Sequence, residues 1–484
     1  MKLLVFLLLT ITCHAAKRPN ILFCIADDWG WPHASIYAND TVVQTPAFDR
    51  IAKEGALFHN AYVSSPSCTP CRNSLMTGQW HWRLGAGANL YGTLPQSVET
   101  YARLLKKSGY HTGSWRKSFG PGKLQGKFLE DHPAGKVYKK GFPAFLAERP
   151  DKDTPFCFWL GASDPHRGYK KGSGKQSGMD ISKVKVFPHF PNDEEIRSDV
   201  ADYYFEVQRF DSDVAKAIAQ LEEIGELDNT IIAITGDHGM PFPRCKSNLY
   251  DSGTRVPLAI RWGGNIKPGK VFQNFASLTD LAPTFLAAAG VPIPKDMTGK
   301  NLLPALTGGG DMELRPFILT GKERHVPSQE APEMGGYPSR AYRDHQYLYI
   351  RNYATGRWPN GTPNWQKAAI KDSWYGDTDN GPTKSYLIDK KDDSSEYQRF
   401  YDLSFAKRPA DELFDLKTDP DQLNNIAAKK PELLKKYQAL LATELSKSRD
   451  PRNGGPAFDF DAQPYGGGSP KFPKNKRQEK SAGN

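Results

Sequence analysis

The stretch SSPSCTPCRNSLMTGQW, residues 64–80, holds two thiols, Cys68 and Cys71, around Thr69-Pro70, with Arg72 following at once. A C-x-x-C spacing suits thiol–disulfide exchange or half of a zinc site. Exchange chemistry wants a compact βαβ unit around the pair, whereas this pair follows a serine-rich loop in a long chain. A zinc site wants a second C-x-x-C or an H-x-x-x-H, and neither is present. Both readings also leave Pro70 and Arg72 without a purpose. Elsewhere Asp27-Asp28, Asp164-Pro165-His166 and Asp237-His238 each stand directly after an apolar run.

Those runs are the elements that must position the acids. Ile21 to Ala26, the apolar part of DTPFCFWLGASDPH, and NTIIAITG read as buried strands. SVETYARLLKKSGY carries Val98, Tyr101, Leu104 and Leu105 at helical spacing, with Ser97 as the predicted N-cap and Gly109 as the stop. A longer helix is predicted from about Asp199 to Ile224, with a stripe from Val200 through Tyr204, Val207, Phe210, Val214 and Ile218 to Leu221. Strands alternating with helices predict an α/β domain, its mostly parallel sheet sandwiched by helices. In such sheets ligands sit beyond the carboxyl ends of the strands, so the three acidic exits converge on one site.

The chain has 484 residues, 38% of them hydrophobic, enough for a large catalytic domain with a smaller one attached. MKLLVFLLLTITCHAA has the anatomy of a secretory signal peptide over residues 1–16, too short to span a bilayer, which predicts an exported protein, periplasmic or extracellular, without a stable membrane anchor. The main domain is predicted over 17–336. SRAYRDHQYLYIRNY alternates like antiparallel strands and PELLKKYQALLATELSK is amphipathic, giving a smaller α+β subdomain over 337–460. Residues 461–484, rich in Gly, Pro and Lys, read as a flexible basic tail that carries part of the formal charge of +10. The body is only mildly basic and has no zinc-finger or RNA-binding motif, which argues against nucleic acid and permits an anionic substrate. Outside the signal segment five cysteines remain, an odd and scattered number that predicts no disulfide framework.

Cys68-Thr69-Pro70-Cys71-Arg72, with Thr77-Gly78 trailing, resembles the C-x-P-[SCA]-R signature of the type I sulfatases. RPNILFCIADDWG, GASDPHRGY, ITGDHGMPFPRCKSNLYDSGTRVPLAIRW, LTDLAPTFLAAAGVPIP, TGKNLLPAL and ELFDLKTDPDQLNNIA resemble further landmarks of that family, in order, over about residues 19–440. DPHRGY and GMPFPRCKSNLY resemble its N-sulfoglucosamine sulfohydrolase (heparan sulfamidase) branch and bacterial relatives.

The resemblance implies an alkaline-phosphatase-like fold and a sulfatase acting on O- or N-sulfate of a sugar, as in a sulfated glycan. It implies that Cys68 is oxidised to formylglycine by a formylglycine-generating enzyme, and that the hydrated aldehyde is the nucleophile. Asp27, Asp28, Asp237 and His238, with an oxygen of modified Cys68, are then ligands of a divalent ion; three carboxylates favour calcium and the histidine admits manganese or zinc. Arg72, Lys117 and Lys246 supply positive charge around sulfate, and His166 hydrogen-bonds sulfate or protonates the leaving group. His81, Arg324 and His325 fall where relatives shape the substrate pocket. Two departures stand out. His238 replaces a common asparagine, which keeps a phosphonate or phosphodiester hydrolase open as an alternative. Phe119 occupies the place of the usual base histidine, for which His33 is a candidate replacement; a degenerate glycan-binding protein is the remaining alternative.

Overall fold

The computed structural model describes residues 17–474; the segment read as a signal peptide lies outside the described residues. A sheet of eight strands runs in the order β4-β3-β5-β1-β6-β7-β2-β8. Its members are β1 (Asn20–Ala26), β2 (Ala56–Tyr62), β3 (His111–Arg116), β4 (Lys136–Val137), β5 (Phe156–Gly161), β6 (Thr230–Gly236), β7 (Arg255–Trp262) and β8 (Lys270–Ser277). Only β7 runs against its neighbours β6 and β2; the remaining pairs are parallel.

The centre of the sheet explains why its strands are continuously apolar. All seven residues of β1 are buried. Leu22, Cys24 and Ala26 enter one core with the long helix Glu194–Glu223, while Ile21, Phe23 and Ile25 enter a second core with the helices Tyr101–Lys107 and Leu281–Ala288. Strand side chains alternate between faces, so a strand covered on both sides needs apolar residues throughout. Each fully buried Ile, Leu or Phe here contributes about 1.5–3 kcal/mol.

Two helix boundaries differ from expectation. The helix near Ser97 begins at Tyr101, with Thr100 at the N-cap position and its hydroxyl donating to the Pro133 carbonyl. The long helix begins at Glu194 behind Asp193, where two glutamates in the first turn suit the positive end of the helix. All five cysteines of the described residues are free and buried.

The second sheet is antiparallel, β12-β11-β10-β9, built from β9 (Phe317–Lys322), β10 (Ser339–Asp344), β11 (Tyr347–Asn352) and β12 (Asp411–Asp415), with the helix Pro431–Lys447 against it. Its edge strand β9 precedes the boundary drawn at 337, because the polar, Gly- and Pro-rich stretch between β9 and β10 hides the link between them. Residues 461–474 also depart from the flexible tail predicted for them. The Arg324 guanidinium donates to the carbonyls of Asp461, Gln463 and Pro464, and the Phe472 ring lies 4.8 Å from Trp365 and 5.2 Å from Trp374. No helix of the described residues is long and apolar enough to cross a membrane.

Candidate active site

Strand register brings the acids together. Ala26 pairs with Gly236, so Asp27 and Asp237 leave adjacent strands side by side. The Asp237 amide donates to the Ala26 carbonyl at 3.1 Å, and the Asp27 amide to the Asp164 carbonyl at 3.0 Å. Asp28 takes a left-handed φ of 74°, and its amide donates to Asp237 Oδ1 at 2.8 Å. That conformation costs an aspartate about 1 kcal/mol and turns its carboxylate into the cluster.

The helix Cys68–Thr77 supplies the thiol. Pro70 occupies its first turn, where a missing amide costs nothing, and Gly78, at φ 62°, closes it. All ten helical residues are buried. Cys68 Sγ lies 3.4 Å from His238 Nε2 and 3.8 Å from Asp27 Oδ1. Arg72, one turn further and so on the same face, donates from Nε to Asp237 Oδ2 (2.9 Å), with another nitrogen 3.4 Å from Asp27 Oδ1. Cys71 enters the core beneath the sheet instead. Burial pushes the Cys68 thiol up to about 12, although Lys117 and Lys246 pull it down, and it raises Cys71 well above its ordinary value. A redox pair needs an accessible thiolate, and this pair lacks one.

Lys117 Nζ donates to both oxygens of Asp27, at 2.5 and 2.6 Å. Burial opposes its charge more strongly than any single neighbour favours it, but Asp27, Cys68 and Asp237 together hold the ammonium above its ordinary value. Lys246 Nζ bridges Asp28 Oδ2 and Asp379 Oδ2, each at 2.9 Å. His166 Nε2 stands 4.0 Å from Asp28 Oδ2, while its Nδ1 meets the Arg167 carbonyl at 2.5 Å. A carbonyl only accepts, so Nδ1 carries the proton and Nε2 faces the cluster with its lone pair in the neutral ring. The same holds for His238, whose Nδ1 donates to the Gly239 carbonyl (3.1 Å). Its Nε2 lies 3.2 Å from Asp28 Oδ1 and 3.6 Å from Asp237 Oδ1.

The arrangement suits a hard divalent cation. Asp28, Cys68 and His238 form one set of donor atoms within 4.8 Å of one another, and Asp27, Cys68 and Asp237 form a second. Asp28 Oδ1 is buried and accepts no hydrogen bond, a carboxylate oxygen poised as a ligand. Burial alone would raise Asp237, but Arg72 and Lys117 help hold it below the usual carboxylate range, so it stays ionised.

The pocket residues predicted from sequence divide. His325 lines the same cavity of about 370 Å³ as Cys68, Lys117, His166 and Lys246. Its Nδ1 meets Ser67 Oγ at 2.8 Å, and burial lowers it to about 3, so it is neutral. His33 lies elsewhere: its ring sits among Phe187, Tyr203 and Tyr204, Nδ1 is 3.4 Å from the Tyr203 hydroxyl, and burial lowers it to about 3. It packs a loop and is not the replacement base. His81 is fully buried, with Nδ1 2.9 Å from Ser64 Oγ and its ring against Trp82. Arg324 spends its guanidinium on backbone carbonyls. Phe119 packs with the apolar cluster of Leu84, Leu94, Val98 and Phe128. Sequence reasoning missed Asp379, which burial alone would raise but which Lys246 holds below the usual carboxylate range; it lies in a loop without periodic pattern, and only its acidic type could have drawn notice.

The sulfatase family model matches residues 19–291, more than half the chain. This chain belongs to the sulfatase family. An ulvan-active sulfatase of Formosa agariphila is 28% identical over 427 residues, covering 85% of this chain and 76% of that protein. Human N-sulphoglucosamine sulphohydrolase is 30% identical over 407 residues, covering 72% of this chain and 76% of the relative. A protein solved in complex with its substrate, D-glucosamine-2-N,6-O-disulfate, superposes with a TM-score of 0.60 at 21% identity, covering 93% of this chain and all of that one. The sulfatase fold seen here is thus the alkaline-phosphatase-like one that the motifs implied, with the smaller antiparallel sheet appended.

Proposed function

We propose that this sulfatase hydrolyses O- or N-sulfate on a sugar of a sulfated glycan, as an exported enzyme in which residue 68 works as formylglycine. What supports the reading is the convergence on one thiol of Asp27, Asp28, Asp237 and His238 with Arg72, Lys117 and Lys246 around it. The names of the similar proteins point to ulvan and to sulfated glucosamine, and these supply the sugar class.

After conversion by a formylglycine-generating enzyme, residue 68 would supply a hydrated aldehyde as nucleophile: one hydroxyl would lose its proton and bond to sulfur as the bond to the sugar oxygen or nitrogen breaks. Loss of the second hydroxyl proton would re-form the carbonyl and expel sulfate, and water would hydrate the aldehyde again. Calcium, or manganese, held by Asp27, Asp28, Asp237 and His238 would supply positive charge beside that oxygen. Lys117 and Lys246 hold equatorial sulfate oxygens, where charge in a dry site counts for far more than in water. Arg72 fixes Asp27 and Asp237 while the amino end of its helix adds partial positive charge at residue 68. His166, with Nε2 toward the cluster, protonates the leaving atom when it carries a second proton and takes that proton from solvent.

The test is a mass spectrum of peptide 64–83 from native protein beside sulfate release from sulfated sugars. Conversion of Cys68 to the aldehyde with release of free sulfate is the expected result, and Cys68→Ala loses more than about a thousandfold of it while still folding. An intact thiol in native protein, or a Cys68→Ala variant that keeps its turnover, overturns the reading. His238, a nitrogen donor among carboxylates, favours one second reading, a phosphonate or phosphodiester hydrolase; faster cleavage of an aryl phosphonate or aryl phosphodiester than of any sulfate would establish it.

A further inference from the structure

The segment 461–474 contributes to the lining of the cavity that holds Cys68. At its start, Asn89 Nδ2 donates to the Phe460 carbonyl (2.7 Å), and Arg324 donates to the carbonyls of Asp461 (3.0 Å), Gln463 (2.8 Å) and Pro464 (3.1 Å). Arg357 pairs with the Asp461 carboxylate at 2.7 Å. The Tyr465 ring then stands 5.3 Å from that of Tyr91, edge to face. Gly467 lies flat on Tyr91, where an added Cβ would come within 2.2 Å of the ring. Gly468, Ser469 and Pro470 line the cavity directly. Beyond them the Pro470 carbonyl accepts from the Trp374 amide (3.0 Å), the Lys471 carbonyl from Asn380 Nδ2 (2.8 Å), and the Phe472 amide donates to the Asp372 carbonyl (2.9 Å). Phe472 closes the run as a buried ring.

The segment is therefore fastened at one end to the loop bearing Leu90 and Tyr91, and at the other to the loop bearing Asp379 and Asn380. Both loops line the cavity. Gly468, Ser469 and Pro470 join the two loops in the lining of the cavity. At about 370 Å³ the cavity is at the small end for ligand sites. A sugar inside a polymer needs two ways out of the pocket, one for each neighbour, whereas a terminal sugar needs one.

We propose that residues 461–474 are the specificity element of this sulfatase, a fixed wall that admits the sulfated sugar at a chain end and refuses the same sugar within a chain. Arg324 acts as a positioning residue, holding the wall through three carbonyls. The inference rests on the sulfatase reading above.

The test uses the full chain with size-graded oligosaccharides of heparan sulfate, chondroitin sulfate and ulvan, at equal total sulfate, beside 4-nitrocatechol sulfate. For wild type, initial sulfate release should fall in proportion to chain length, and exhausted products should lack sulfate on one terminal sugar only. Arg324→Ala, and a chain ending at Asp459, should raise the ratio of internal to terminal release at least tenfold, with melting curves reporting that each folds. Release per sulfate independent of chain length in wild type overturns the proposal, whether or not the variants fold. An unchanged ratio in folded variants also overturns it. Absence of release from every substrate by protein with a fully converted Cys68 overturns the sulfatase reading instead, so the two failures are distinct.

Discussion

Lys246 shows how the site balances its charges. Its ammonium is buried and touches two carboxylates, Asp28 and Asp379, at equal distances of 2.9 Å. With Asp379 counted, four acids rather than three face the cations of Arg72, Lys117 and Lys246, so a divalent ion leaves one surplus positive charge for an incoming sulfate. Asp379 also tethers the lysine that would hold that sulfate. Asp379→Ala should leave Lys246 on Asp28 alone and lower kcat/KM on a sulfated sugar about tenfold or more, with Asp379→Asn restoring part of the loss because its oxygen still accepts. A variant with unchanged kinetics and an altered melting temperature would assign Asp379 to stability alone. Of the site, Cys68, Arg72 and the strand-end acids were legible in sequence because each is fixed within a few residues by its own element. Asp379 was not, since it reaches the site from a loop more than 130 residues away from the lysine it holds.

At the scale of elements, what was legible follows from how each is buried. Strands β1, β5 and β6 are covered on both faces and so announce themselves as apolar runs, and their ends then locate the acids. Helix starts were less legible: Ser97 has the right type for a cap, yet the chain turns helical only after Thr100. The reversed direction of β7 leaves no mark in a run such as VPLAIRW, because burial alone does not set strand direction. The long helix Glu194–Glu223 carries a pH signature. Burial and the neighbouring Asp164 raise Glu206 from an ordinary 4.5 to about 7. Between those values the folded protein holds a proton that the unfolded chain has lost, so this contribution is full below about 4.5 and disappears as pH rises through 7. Glu206→Gln, a permanent mimic of the neutral acid, should therefore gain in melting temperature relative to wild type between pH 5 and pH 8. A difference that stays constant across that range would assign the slope to another group.

The whole molecule is joined through its site. Asp27 and Asp28 follow the first strand, Cys68 comes from a helix, Asp237 and His238 follow the sixth strand, and Asp379 comes from the loop region between β11 and β12 of the second sheet. A ligand held by such dispersed groups binds the folded state alone, and at a hundredfold excess over Kd it adds about 2.7 kcal/mol to stability. Melting curves with calcium or manganese, against a chelator, should show a rise that Asp237→Ala removes; equal curves for all would dismiss the cation site. The wall at 461–474 escaped sequence reading for a reason of the same scale: its glycines and prolines resemble a loose end, and its anchors are carbonyls met by side chains far earlier in the chain.

The burial of the Cys68–Thr77 helix also sets a timetable. Cys68 is 3% exposed, and every neighbour within its helix is shut inside the protein. No second enzyme can grip Thr69, Pro70 and Arg72 once the sheet has closed over them. On the proposed reading, maturation at residue 68 precedes folding, and any molecule that folds first keeps its thiol for life.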